Sequence, residues 1–167
     1  MKSMLWSIPL FALIIPVSAL AAAPLTSFNT GIGVTPFVNS GTADSPTLAA
    51  NVVRGVNPAG NPWRVGSLVV TVDIDGNIQV YVTRLVLAGG NSLGANPVPS
   101  VQVKLFCGGS DTAFNTPVIA MGPNDNFAFF GLLSAVPPNP CTSPALLIVA
   151  APNGAWLAAG IPDNNRQ

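Results

Sequence analysis

Ser67-Leu68-Val69-Val70-Thr71-Val72-Asp73-Ile74-Asp75-Gly76-Asn77-Ile78-Gln79-Val80-Tyr81-Val82-Thr83-Arg84 carries the clearest structural signal in the chain. Two runs rich in β-branched residues flank a cluster of turn formers, the pattern of a β-hairpin. If Asp73 opens a type I turn and Gly76 takes the left-handed position after it, Val72 lies opposite Ile78, Val70 opposite Val80 and Leu68 opposite Val82. Every residue in those pairs is apolar. The same register gathers Thr71, Asp73, Asn77, Gln79, Tyr81 and Thr83 on the opposite, wetter face. A two-residue Asp75-Gly76 loop would set Val72 against Gln79 and mix the faces, so alternation selects the three-residue loop.

Working outward, short β-branched and aromatic runs alternate with turn clusters, and no window sustains a 3.6-residue period. Strands are expected at Leu48 to Val56, Ser100 to Cys107, Thr116 to Met121, Asn126 to Leu133, Ala145 to Ala151 and Ala155 to Ala159. Val101, Val103, Leu105 and Cys107 then share one face of their strand, and Gln102, Lys104 and Phe106 the other. This spacing predicts an all-β fold: a single antiparallel β-sandwich of about seven to nine strands, immunoglobulin-like or prealbumin-like, over residues 47–163. Residues 22–46, with only Ile32, Val34, Phe37 and Val38 as apolar candidates, read as a linker or one irregular edge strand, and 164–167 as a tail. There is no internal repeat.

Residues 1–21 read as a signal peptide: Lys2 supplies the charge, Leu5 to Val17 the apolar run, and Ala19-Leu20-Ala21 the cleavage site. Cleavage after Ala23 would place Pro24 next to the cut, a poor fit to a peptidase that needs a flexible substrate. The competing reading is a retained membrane anchor, since Met4 to Leu25 is uncharged and long enough to span a bilayer; Pro9 and Pro16 interrupt it. Cys107 and Cys141, the only two cysteines, are then expected to form a disulfide in an oxidising compartment. Closing that loop would stabilise the fold by roughly 3 to 4 kcal/mol.

Pro99-x-Val101-x-Val103-x-Leu105-x-Cys107, followed by Asn124-Asp125-Asn126-Phe127-Ala128-Phe129, resembles the transthyretin-like (prealbumin-like) sandwich modules. Those modules include the carboxypeptidase regulatory-like and pollen Ole-e-1-like domains. The resemblance spans residues 98–133, and Asn126 stands where those modules usually carry glycine. It implies a sandwich whose work is non-catalytic binding or spacing.

The chain has no histidine and no glutamate, and only 7% of its residues are charged. Histidine-dependent nucleophilic sites and histidine-ligated zinc therefore cannot be assembled within one chain. A Ser100–Lys104 dyad fails on distance, because four residues of strand span roughly 13 Å. The six aspartates, Asp44, Asp73, Asp75, Asp111, Asp125 and Asp163, fall mostly in turns, where Asp caps its own backbone. Asp73, Asp75 and Asn77 are weak candidates for a calcium loop, but Arg84 occupies the position of its bidentate ligand. Trp63, Tyr81 and Trp156 are candidates for a carbohydrate platform, against the plainer reading of core or rim packing. Asn-x-Ser/Thr sequons are absent, which favours a bacterial exported protein slightly over a eukaryotic secreted one.

With Lys and Arg balanced by Asp, the charge gives no footprint for nucleic acid and points to neutral partners or self-association. The expected function is that of a secreted, periplasmic or cell-surface module, without cofactor or catalysis, that binds, adheres or builds through its surface. Its partner would be a protein or a cell-envelope surface, with no membrane contact after signal cleavage. Leu146 to Ala151 and Trp156 to Ala159 alternate poorly, so either both faces are covered within the domain or part is an exposed contact. The alternatives are a small-molecule or carbohydrate-binding module, with Arg64, Arg84 or the tryptophans in a cleft, and a calcium-stabilised or Asp-dependent hydrolase.

Overall fold

The structure, a computed structural model, describes residues 24–163 of the chain. The expected signal peptide and C-terminal tail lie outside these residues. The described strands are β1 (Pro24–Gly33), β2 (Phe37–Asn39), β3 (Leu48–Ala50), β4 (Trp63–Arg64), β5 (Ser67–Asp73), β6 (Asn77–Thr83) and β7 (Val86–Leu87). They continue with β8 (Ser100–Phe106), β9 (Ala113–Asn115), β10 (Ile119–Ala120), β11 (Phe127–Leu132), β12 (Ala145–Ala150) and β13 (Trp156–Pro162). A 3-10 turn, Pro123–Asp125, precedes β11.

The β5–β6 hairpin adopts the register that alternation selects. Leu68 pairs with Val82, Val70 with Val80 and Val72 with Ile78, and all six are buried. Gly76 takes φ +83°, and its N–H donates to Asp73 O at 3.2 Å. From this hairpin the ladder continues without a break. Its order is β10-β8-β12-β13-β1-β5-β6-β11, with β9 also pairing β8, and every ladder is antiparallel.

The two ends of this sheet come together, because the Ser134 N–H donates to Asn115 O at 2.8 Å and the Asn115 N–H to Ser134 Oγ at 3.0 Å. The all-β expectation holds as one curled antiparallel sheet. Division into the two facing sheets of a sandwich is not established by a ladder that runs continuously.

Within the stretch expected to be a linker or one irregular edge strand, Pro24–Gly33 instead forms a strand inside the sheet. β1 lies in the interior of the sheet, hydrogen-bonded to β13 on one side and β5 on the other. Its anchor is Phe28, 0% exposed, a residue that the surrounding Thr, Ser and Asn disguise. Its glycines mark close packing rather than turns: a β-carbon at Gly33 would overlap the Trp63 carbonyl, and one at Gly160 of β13 would sit 3.0 Å from the Phe28 ring. Interior position satisfies the backbone on both sides, so this strand needs few apolar side chains of its own.

Two expected strands are shorter in the structure. Leu48 to Val56 reduces to β3, since Arg54 (φ 50°) and Gly55 (φ 71°) turn the chain and Val53 bridges to Val56. β2 and β3 form a separate two-stranded arm whose Leu48 is 75% exposed. Thr116 to Met121 divides at Pro117, which has no N–H to give a ladder. Thr116 fills the interruption: its N–H donates to Val103 O and its Oγ1 accepts from the Val103 N–H, each at 3.0 Å.

β8 points Val101, Val103, Leu105 and Cys107 into the core as expected, while Phe106 is buried as well. Cys107 and Cys141 form a disulfide with their Cα atoms 4.9 Å apart. It pins the loop that precedes β12, where the Gly108 N–H also donates to Thr142 O. β12 and β13 alternate poorly because both of their faces are covered. Leu146–Ala150 and Trp156–Ala158 are all buried, and residues 51–63 run across the start of β13. The Trp156 N–H donates to Asn57 O, its indole N–H to Asn51 O at 2.8 Å, and the Ala59 N–H to Trp156 O.

Replacing Phe28 with alanine is expected to cost about 3–5 kcal/mol, as for a large core side chain, whereas Ile32→Ala on the same strand costs less than about 1 kcal/mol. Urea denaturation of both variants checks this, and equal midpoints would return β1 to a linker. Reducing the Cys107–Cys141 bond is expected to lower unfolding free energy by roughly 3 to 4 kcal/mol. Paired denaturation curves with and without reductant measure it; coincident curves would contradict the loop-closure argument.

Candidate functional site

The residues that sequence chemistry proposed are scattered or consumed by structure. Ser100 begins β8 opposite Ala120, while Lys104 lies farther along it, between Asn115 and Leu147. Asp73 is engaged by its own turn: Oδ1 accepts from the N–H groups of Asp75 at 3.0 Å and Asn77 at 2.9 Å, and Oδ2 from Asn77 Nδ2 at 2.7 Å. A cation there would have to displace these three bonds. Among the described residues no group of three or more His, Cys, Asp or Glu side chains is placed to hold a metal ion.

Trp63 and Trp156 do not join Tyr81 in a platform. Both are buried, Trp63 at 6% exposed, and Trp156 spends its indole N–H on Asn51. Tyr81 is different, at 47% exposed on the outer face of β6. The alternation that buries Val80 and Val82 turns it outward.

Tyr81 stands in an apolar row that crosses three strands, with Val69 of β5 on one side and Ala128 of β11 on the other. Phe130, one pleat farther along β11 and 57% exposed, meets the Tyr81 ring edge to face with centroids 5.1 Å apart. Leu132 extends the exposed apolar surface, and Ser67, Thr71, Gln79 and Thr83 supply neutral hydrogen-bonding groups around it. Ser67 Oγ and Thr83 Oγ1, 2.7 Å apart, already share one hydrogen bond.

β11 ends the ladder path, so it has a strand partner on one side only. Edge strands are usually blunted by Lys, Pro or inward charges. Phe127-Ala128-Phe129-Phe130-Gly131-Leu132 has none of these. The signal for this surface was present in the sequence: a strand that is apolar or glycine throughout must show apolar side chains on whichever face stays open.

Where β6 leaves this surface, a groove of about 520 Å³ opens between the strand end and the turn before β11. Tyr81, Val82, Phe127, Ala128 and Pro123 form its apolar lining, and Thr83, Asn124 and Asn126 its polar side chains. The turn is tied to the corner after β6. The Arg84 N–H donates to Asn126 Oδ1 at 2.9 Å, the Leu85 N–H to Asp125 O at 3.0 Å, and the Gly122 N–H to Asn126 O at 2.8 Å.

Three of the five non-glycine residues with positive φ among the described residues cluster here: Arg84 at 51°, Asn124 at 57° and Asp125 at 61°. Such backbone costs of order 1 kcal/mol or more per residue and persists only where its surroundings enforce it. A second groove of about 270 Å³ lies between Asn61, Trp63, Val98, Asn153 and Leu157. Neither Arg64 nor Arg84 lines either groove.

No protein-family model, curated protein or solved structure matches the chain.

Asp73→Ala removes three hydrogen bonds that order the β5–β6 turn, and is expected to destabilise the protein by about 1–2 kcal/mol. Chelator should leave the melting temperature of the parent protein unchanged. A chelator-induced fall that Asp73→Ala abolishes would instead make the turn a cation site.

Proposed function

We propose that this chain is an exported, non-catalytic binding module that acts through the outer face of β5, β6 and β11. The observation that carries this reading is the exposed Tyr81–Phe130 pair, continued by Val69 and Leu132, beside an edge strand with no protective charge. Solvent-facing aromatic side chains that continue into a wider apolar patch mark a contact surface.

The poorly alternating segments of β12 and β13 support the same reading by elimination. They are covered within the domain, so the contact surface lies elsewhere. The absence of His and Glu, and the engagement of Asp73 in its own turn, favour binding over catalysis. The disulfide favours a compartment outside the cytosol, secreted, periplasmic or on the cell surface, with residues 1–21 as the export signal. Treating the curled sheet as a prealbumin-like sandwich belongs to this proposal, in line with the resemblance of residues 98–133. The partner surface is close to neutral, because the face offers hydroxyl, amide and ring, and its one carboxylate, Asp73 at the end of β5, is engaged by its own turn.

Replacing both Tyr81 and Phe130 with serine is expected to cost only about 1–2 kcal/mol of stability, chiefly the lost ring pair and its strand contacts. Co-sedimentation of the purified protein with the envelope fraction of the producing cell should fall at least tenfold, about 1.4 kcal/mol of binding free energy. Undiminished retention of the double variant would place the working surface elsewhere.

A further inference from the structure

The groove beside the exposed face is lined by an exposed aromatic residue, which the second groove lacks. Its exposed aromatic residue is Tyr81, and Thr83, Asn124 and Asn126 are the polar residues in a mainly apolar lining. No Asp, Lys or Arg side chain lines it. Among the described residues the Tyr81 hydroxyl and the Asn124 amide make no hydrogen bond, and Asn126 uses only its Oδ1, leaving its NH₂ group to give. These are an unoccupied hydroxyl, a full amide and two further N–H donors among the residues that line the groove.

We propose that this groove is a binding subsite for a neutral saccharide. A pyranose presents C–H groups on its faces and hydroxyls around its rim. A ring flanked by amides matches both at once, the ring taking the apolar face and the amides reading the hydroxyls. Its volume of about 520 Å³ falls within the range of small-molecule clefts, roughly 300–1,000 Å³. An acidic glycan or a phosphate would find no cation in the lining, and a purely apolar ligand would leave the amides dry and unpaired.

Asn124 and Asp125 hold positive φ in consecutive positions, and the Arg84 and Leu85 N–H groups clamp the turn from the far side. The polar part of the lining is thus fixed before any ligand arrives, which lowers the ordering cost of binding. The second groove lacks this arrangement, since its Trp63 ring is buried and offers no stacking face.

This inference rests on the reading of the β5–β6–β11 face as the contact surface and names the chemistry met at one end of it. The test is a titration of the ¹⁵N-labelled protein, followed by amide chemical shifts, with cellohexaose, chitohexaose and laminarihexaose, and with an oligogalacturonate as the acidic comparison. At least one neutral oligosaccharide should produce saturable shifts centred on residues 81–84 and 122–128, and the oligogalacturonate none. Tyr81→Ala should weaken that binding at least tenfold. Asn124→Gly keeps the left-handed backbone while deleting the amide, so it should fold normally and still weaken binding several-fold. Tyr81→Phe, which keeps the ring, should retain most of the affinity.

Absence of shifts with all three neutral sugars, or shifts that survive in Tyr81→Ala, would overturn the saccharide subsite. Shifts at these residues that grow with protein concentration alone would identify a second copy as the occupant and overturn it equally. If the sugars fail while Tyr81/Phe130 replacement still abolishes envelope retention, only the subsite falls and the surface reading stands. If neither variant changes retention and a sugar still binds the groove, the wider reading falls and the subsite remains.

Discussion

The backbone ladder on both sides of β1 is the constraint from which the rest of this structure follows. On one side of it lie β13, β12, β8 and β10, and on the other β5, β6 and β11. No other ladder joins these two groups among the described residues. β1 meets β13 through partners such as Ile32 with Ala159, and β5 through Phe28 with Val70, so one strand satisfies two edges that would otherwise be open. Asn29 adds a side-chain bond to Asp163 at 2.7 Å, fastening the two ends of the described chain to each other. Most of these pairings join residues far apart in sequence, so the ordering entropy is large and the return comes only when the sheet is complete.

Continuity of the sheet also determines what is left outside. Once the curl buries one face of β5, β6 and β11 against β8, β12 and β13, strict alternation sends Val69, Tyr81, Phe130 and Leu132 to water. Covering that face from within would need another layer of chain, and the chain spends its excursion elsewhere, across the start of β13. The corner at Arg84 then has to fold back onto the turn before β11, and that is where the left-handed residues gather. The exposed ring pair, the open edge and the groove are consequences of one topology and share one surface.

Local patterning made part of this legible. The Ser67–Thr83 register, the inward face of β8 and the Cys107–Cys141 pairing all depend on alternation or residue count over short distances, and each stands in the structure. β1 was misread because hydropathy describes side chains, whereas an interior strand is held by its backbone. Its Asn29 and Thr30 stay exposed while Gly31 and Gly33 are closely packed by neighbours, and nothing local announces that its strand partners are residues 67–73 and 156–162. Which of Trp63, Tyr81 and Trp156 would pack inside was not legible for a related reason. Aromatic residues carry no label for inside or outside until the strand and its cover are known, and the cover of Trp156 is a loop bonded to its indole. Phe130 became visible as a surface residue only once β11 was placed beside β6.

Native-state hydrogen exchange across β1 tests the central claim most directly, because it reads whether one interior strand ties the two halves of the sheet together. The account predicts that amides from Thr26 to Ile32 are protected as strongly as those of β5 and β13, and are released with them in a single cooperative opening. Exchange of β1 at the rate of an exposed turn, while β5 and β13 stay protected, would contradict it.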